Sequence, residues 1–140
     1  MKIGIFTVLY NDLKLEKVLK YVSNLGYQCV ELAAWNGSKH LNIDEVLSGG
    51  ATKLKETIEK YGLTISGISN HIEGQLVLGP HDASTDDFFK GTPEEKAKYG
   101  IERMKKTAEA AAALDVPVVN GFIGAPCWGC LLYTSDAADE

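Results

Sequence analysis

The chain alternates strand-like runs with amphipathic helical patterns, and this alternation limits its fold more than any other feature. The β-branched runs that read as strands are residues 2–6, 28–32, 63–71 and 118–122. Between them, apolar residues recur at helical spacing, as at Leu15, Val18, Leu19, Val22 and Leu25. A β-α-β-α-β-α-β order requires right-handed crossovers and a parallel sheet. The sequence therefore predicts an α/β fold.

Capping and stop residues predict the ends of the first two helices. Asn11 and Asp12 offer a cap before the first apolar stripe, and Gly26 stands where a left-handed residue ends a helix. The second helix is predicted over residues 51–61, with Gly62 as its stop.

The third helix carries the strongest start signal in the chain. Thr92 is an N-cap threonine, proline follows at the first helical position, and Glu95 lies three residues after the cap. The helical period then continues to about Leu114. Residues 72–91 read as an irregular loop in which His81, like His40 in an earlier loop, is expected to be solvated. The alternative for His81 is that residues 79–82 fold inward as part of a lid.

The loop after the first strand distinguishes two architectures for a parallel sheet. Residues 7–12 contain no glycine that would let a phosphate approach the backbone, and no GxxxxGK[ST] pattern occurs anywhere. Small polar groups instead follow the strands, as they do around the mouth of a barrel. These groups are Thr7, Glu31, Asn70, His71 and Asn120. The sequence therefore predicts a (β/α)8 TIM barrel rather than a nucleotide-binding sheet.

Charge and composition indicate which kinds of partner the protein binds. The 140 residues carry a formal net charge of −5, and no Lys/Arg cluster stands outside a helix pattern, which argues against nucleic acid. The N-terminus enters a strand directly, with Asn11 and Asp12 too close behind it for a signal peptide or a membrane span. Three irregularly spaced cysteines do not form a disulfide framework. We expect a cytoplasmic protein that acts on a small molecule.

Four segments carry a resemblance to a known family. They are KIGI at 2–5, LGYQCVEL at 25–32, ISNHIEGQL at 68–76 and GPHD at 79–82. Over residues 1–129 the chain resembles the sugar phosphate isomerase/epimerase group of xylose isomerase-like TIM barrels. Because such barrels have roughly 250 residues, the resemblance implies that this chain is a truncated N-terminal half and is inactive by itself.

The resemblance also implies a chemistry, namely proton transfer next to a carbonyl in a sugar or sugar phosphate. A divalent metal (Mn, Mg or Zn) is expected in the full-length protein, with its ligands on missing strands five to eight and none bound by this fragment, although His71 is a candidate ligand. His71 and Glu31 are the predicted catalytic residues. Asn70, Trp35, Asn120 and Thr7 are the predicted substrate-binding residues. The full-length protein is a candidate homo-oligomer.

Each of these residues also has a structural interpretation. His71 would hydrogen-bond its own loop, and Glu31 would accept backbone donors from a neighbouring loop. Trp35 would anchor its loop by packing. Asn120 and Thr7 would satisfy backbone groups at the strand ends.

Two other functions remain open from the sequence. A zinc-dependent DNA-repair endonuclease of the same barrel class would use His71 as a metal ligand. The acidic balance, the lack of basic strand-end loops and the absence of a histidine at Asn120 argue against it. The third alternative is a barrel that binds sugar without catalysis.

Residues 130–140 follow no strand or helix pattern. Reverse translation of this tail resembles a transposase mosaic end with its sequencing adapter, so we interpret it as non-native and assign residues 1–129 to the half-barrel. Without the tail the chain has 16 acidic and 14 basic residues. The spacing of Cys127 and Cys130, which alone would indicate a CxxC pair, then loses its meaning.

Overall fold

The computed structural model describes residues 1–79 and 81–124, which form a four-stranded parallel sheet flanked by helices. The strands are β1 (Gly4–Phe6), β2 (Cys29–Ala33), β3 (Thr64–Asn70) and β4 (Val119–Gly121). They lie side by side in chain order, with β2 parallel to both β1 and β3. This arrangement confirms the predicted α/β class and element order. The predicted tail and the Cys127/Cys130 pair lie outside the described residues.

The connections between strands are helical. The helices are α1 (Leu15–Asn24), α2 (Ile43–Glu45), α3 (Ala51–Glu59) and α4 (Pro93–Ala113). A π turn, Val46–Gly50, joins α2 to α3, and Gly49 bends the chain there with a φ of 108°. Short 3-10 turns cover Thr7–Tyr10, Glu73–Leu76 and Ala83–Thr85. None of the helices in the described ranges is long and apolar enough to cross a bilayer.

The start of α1 differs from the prediction. Its N-cap is Lys14, which makes no side-chain capping bond, so the predicted Asn11–Asp12 cap is wrong. The Asn11 side chain instead accepts a hydrogen bond from the backbone N–H of Lys39 at 3.3 Å. Gly26 has the predicted left-handed conformation, with a φ of 85°.

The start of α4 confirms the predicted capping box. The Glu95 carboxylate accepts from the Thr92 backbone N–H at 2.8 Å, and the Thr92 hydroxyl accepts from the Glu95 N–H at 3.3 Å. Two N–H groups that an uncapped helix would leave unpaired are thereby satisfied.

By its contacts the chain divides into two compact units. The first unit is residues 1–70 and 105–120. It contains α1 to α3 and every residue of the sheet except Gly121. The second, in its described part, is residues 71–79, 81–104 and 121–124.

The hydrophobic core of the first unit fills the space between one sheet face and the helices. Its fully buried members include Val18, Leu19, Val22, Val30, Leu32, Ile68 and Ala110. Alternation along β2 directs Val30 and Leu32 into this core, and it therefore directs Glu31 to the opposite face.

A buried lysine organises the loop of the second unit. Lys96, on α4, is 1% exposed, and its ammonium donates to the Asp82 carbonyl, to the Thr85 hydroxyl at 3.2 Å and to the Asp86 carboxylate at 2.6 Å. Because a buried charge requires partners, this residue ties residues 82–86 to the helix.

Candidate active site

Glu31 lies at the centre of a polar cluster on the face of the sheet opposite the core. Its Oε1 atom accepts hydrogen bonds from the Ser69 hydroxyl and from the Asn120 side-chain amide, the latter at 3.1 Å. Glu31 and Asn120 are the middle residues of β2 and β4, and Ser69 is the second-to-last residue of β3. Glu31 and Asn120 are therefore brought together as the sequence predicted, whereas Ser69 was not among the candidates.

The backbone of β3 leaves room for this cluster. A register shift at Val30/Glu31 places Glu31 opposite Gly67, and such irregularities redirect side chains beside functional sites. A Cβ atom at position 67 would lie 3.4 Å from the Asn120 Nδ2 atom. Because Gly67 has no side chain, Asn120 reaches across β3 to the carboxylate on β2.

Thr7 lies at the end of β1 and is completely buried. Its hydroxyl has no hydrogen-bond partner within the described part of the chain, although it begins a turn, Thr7–Tyr10, that contacts β2. The predicted structural alternative, a hydrogen bond to strand-end backbone, is not made. A buried hydroxyl without a hydrogen-bond partner is costly.

Trp35 follows β2 and packs edge-on against Phe6, with ring centroids 6.0 Å apart and planes at 83°. Phe6 is the register partner of Glu31 in β1. The indole is half-buried, which fits the interpretation of Trp35 as an anchor of its loop. The pair also forms an apolar surface next to the carboxylate.

Asn70 has a different environment from its neighbour Ser69. Its amide donates to the Thr107 hydroxyl of α4 at 3.1 Å, and Asn70 is completely buried. Successive side chains of a strand point to opposite faces, so Asn70 lies on the helix side while Ser69 lies beside Glu31. This contact gives the predicted substrate-binding role of Asn70 no geometric support.

His71 is the first residue after β3 and belongs to the second unit. Its ring centroid is 5.1 Å from that of Phe122, with the planes tilted by 44°. Its backbone carbonyl accepts a hydrogen bond from the Gln75 side chain at 2.8 Å. The imidazole is half-buried.

The other two histidines differ from their predictions. His40 is 4% exposed, and its Nε2 atom lies 3.0 Å from the Leu13 carbonyl oxygen. His81 is 2% exposed. Both were expected to be solvated, and both side chains are buried.

A metal site is not completed by this part of the chain. Residues 1–79 and 81–124 contain no group of three His, Cys, Asp or Glu side chains arranged to hold a metal ion. The Ser69 hydroxyl and the Asn120 amide act as donors to the Glu31 carboxylate.

Ser69 and Phe6 are the members of this site that the sequence analysis missed. A signal for Ser69 was present, since Gly67 and Ser69 occupy alternate, same-face positions of a buried strand and are both small. Small residues on one face leave space for longer side chains from neighbouring strands.

Comparisons with known proteins place this geometry in context. A family model described as xylose isomerase-like TIM barrel matches residues 19–137. Two curated relatives, both named fructoselysine 3-epimerase, come from Escherichia coli O157:H7 and Shigella flexneri. They are 30% and 26% identical over 136 residues, which cover 94% of this chain and 46% of each relative. The chain thus spans about half the length of the curated relatives it matches.

A solved structure gives the same fold. A putative xylose isomerase from Rhodospirillum rubrum superposes with a TM-score of 0.64 at 18% identity. The match covers 99% of this chain and 45% of that structure. At this identity the likeness concerns the fold.

Proposed function

Because this chain belongs to the xylose isomerase-like TIM barrel family, we propose that it forms part of a sugar epimerase or isomerase that moves a proton at a carbon next to a carbonyl. The observation that carries the proposal is the Glu31 carboxylate, oriented by Ser69 and Asn120 on the polar face of the sheet. The names of the curated relatives support the same reaction class. They favour it over the DNA-repair and non-catalytic alternatives.

Glu31 is suited to exchange a proton with substrate because of how it is held. Both described hydrogen bonds end on Oε1, so they fix the orientation of the carboxylate and leave Oε2 for a substrate hydroxyl or an acidic C–H. Proton transfer by a positioned carboxylate contributes about 10²- to 10⁴-fold to a rate. In the proposal, Oε2 takes or returns the proton.

The other proposed roles follow from position and chemistry. His71 is the second catalytic residue, because a neutral imidazole has one ring nitrogen that donates and one that accepts. The unpartnered Thr7 hydroxyl binds a substrate oxygen. The surface formed by Phe6 and Trp35 contacts the apolar face of a sugar ring.

A divalent metal (Mn, Mg or Zn), a cytoplasmic location and a homo-oligomer belong to this proposal as properties of the whole protein. The described residues do not by themselves hold a metal, so we assign it no step here. The proposal extends to phosphorylated and unphosphorylated sugars alike.

Residues 1–129 are, in this proposal, the first half of the barrel, and residues 130–140 are a non-native tail. The family match runs to residue 137, so its boundary does not separate the two. Sequencing the genomic DNA beyond the codon for Gly129 tests the assignment. A barrel-coding sequence in place of the tail supports it, and the same eleven codons in the genome overturn it.

The proposed reaction is tested with the complete protein encoded by that DNA. It is incubated in D2O with a panel of ketoses that includes fructoselysine, and deuterium at the carbon next to the carbonyl is followed by NMR. We expect exchange with at least one ketose and a loss of about 10²-fold or more in the Glu31→Gln variant. The loss arises because an amide cannot accept the proton.

The matched control is Glu56→Gln, which makes the same change at an exposed position of α3. It should retain the exchange rate within about 2-fold, since surface substitutions rarely matter. Exchange that is absent from the wild type with every ketose overturns the reaction class. Exchange that survives in Glu31→Gln overturns the role of Glu31.

A further inference from the structure

A buried carboxylate lies two residues after His71 in the second unit. Glu73 is 1% exposed, and its two oxygens accept from different side chains of α4. The Tyr99 hydroxyl donates to Oε1 at 2.7 Å, and Arg103 Nε donates to Oε2 at 2.7 Å. A buried charge with this many matched donors is strongly fixed, and removing one partner is costly.

Close backbone packing holds the same turn, Glu73–Leu76, from two directions. A Cβ atom at Gly100 of α4 would lie 2.8 Å from the Leu76 Cβ and 2.9 Å from the Glu73 carbonyl oxygen. A Cβ atom at Gly74 would lie 2.2 Å from the Phe122 carbonyl oxygen. Neither side of the turn has room for one methyl group.

The fixed turn contacts His71 directly. Gln75, within the turn, donates its side-chain N–H to the His71 carbonyl at 2.8 Å. Phe122, which packs against the turn at Gly74, lies beside the imidazole ring. The backbone of His71 is therefore bound by Gln75 of the turn, and its ring packs against Phe122.

Tyr99 keeps its proton in this network. Burial raises its pKa to about 12, and the hydrogen bond to Glu73 and the charge of Glu73 act in the same direction. Its ring stacks on Phe89, with centroids 4.3 Å apart and planes at 13°. The phenol is thus a rigid, permanent donor to the carboxylate.

We propose that Glu73 is a positioning residue for His71: its buried carboxylate, bound by Arg103 and Tyr99, fixes the turn that sets the place of the imidazole. This inference rests on the proposed catalytic role of His71. It predicts that weakening the hydrogen bonds of Glu73 to Tyr99 and Arg103 displaces the His71 imidazole, although no group that touches substrate is removed.

The test uses the complete protein with isotopically labelled histidine. The His71 Cε1–H resonance is assigned by its loss in His71→Gln, and kcat and KM are measured for the ketose that exchanges. In Glu73→Gln we expect a shifted or broadened His71 resonance and a kcat lower by about 10- to 100-fold, the scale of a displacement near 1 Å. KM should stay within about 3-fold.

Tyr99→Phe is the second variant, because it keeps the ring stacked on Phe89 and removes only one donor. It should move the same resonance with a smaller loss of kcat, and it decides the question if Glu73→Gln does not fold. Glu95→Gln, which weakens the cap of the same helix, is the control and should leave the His71 resonance unchanged.

The outcomes separate the two proposals. An unmoved His71 resonance in a folded Glu73→Gln or Tyr99→Phe protein overturns the positioning role, whatever the activity. A moved resonance in an enzyme whose exchange does not depend on His71 supports positioning and overturns the catalytic role assigned to that residue.

Discussion

At the level of single residues, two adjacent polar groups of β3 serve opposite faces of the sheet. Ser69 bonds to the carboxylate of Glu31, whereas Asn70 bonds to Thr107 of α4. The sequence placed Asn70 in the site because it ends a strand. The period of two along a strand, combined with the position of α4, turns its side chain toward the helix.

The Asn70–Thr107 contact leads to a stability prediction. Thr107→Val removes the acceptor at nearly constant volume and leaves the Asn70 amide without this partner inside the protein. We expect the free energy of unfolding to fall by about 1–3 kcal/mol, measured by urea unfolding. Thr52→Val, at an exposed position of α3, should change it by less than about 0.5 kcal/mol. Equal effects of the two changes would contradict the prediction.

The raised pKa of Tyr99 leads to a prediction for alkaline pH. Its pKa is about 12 in the folded state against 10.0 as the reference value, so the folded protein keeps a proton that the unfolded chain releases. This contribution to stability is complete below pH 10 and is lost as the pH rises toward 12. Urea unfolding at pH 9 and pH 11 should show the decline in the wild type and a smaller one in Tyr99→Phe. Tyr21→Phe, at an exposed position, should decline as the wild type does.

At the level of elements, α4 shows how a locally unfavourable residue serves packing. Gly100 lies in the interior of a 21-residue helix, where glycine costs about 1 kcal/mol relative to alanine. The sequence analysis predicted the helix in spite of it. The structure supplies the reason, since the turn Glu73–Leu76 packs against this position.

Gly100→Ala should therefore destabilise the protein although it raises helix propensity. The added methyl group meets Leu76 and the Glu73 carbonyl at under 3 Å, and such overpacking typically costs about 1–3 kcal/mol. Thermal and urea unfolding measure whether the substitution raises or lowers the free energy of unfolding. Ala108→Gly, the reverse change at an exposed position of α4, should lower the free energy of unfolding by about 1 kcal/mol. A Gly100→Ala protein that is more stable than the wild type would contradict the prediction and would show that the turn Glu73–Leu76 shifts to accommodate the methyl group.

At the level of the whole molecule, the sheet formed by the described residues has two open edges. Within residues 1–79 and 81–124, β1 has only β2 as a neighbour and β4 has only β3. Apolar side chains near both edges are exposed, with Ile3 at 61% and Val118 at 42%. Unpaired parallel edges with apolar flanks favour association.

The 140-residue chain by itself should therefore self-associate and show no epimerase turnover. Size-exclusion chromatography with light scattering should give species heavier than the 15.2 kDa of one chain. Under the proposed function, the complete protein should show turnover at the same concentration, because a TIM barrel closes its sheet with eight strands. A stable, active monomer of the 140-residue chain would contradict this prediction.

The sequence by itself determined the element order, the family and most helix ends. These depend on local signals: the hydrophobic period, the capping box at Thr92 and Glu95, and the left-handed glycine at Gly26 act within a few residues. The exception is Asn11, whose side chain bonds to Lys39 rather than capping α1. A contact from elsewhere in the chain overrode a local preference.

Only the tertiary structure decided which polar groups meet. Glu31 binds residues 38 and 89 positions away, and the burial of Glu73 and Lys96 depends on packing between α4 and the preceding loop. No local pattern encodes these distances, because strand register and helix docking result from the packing of the whole core. Glu31 and Asn120 were therefore predictable as candidates from the sequence, whereas the hydrogen bonds that join them depend on the fold.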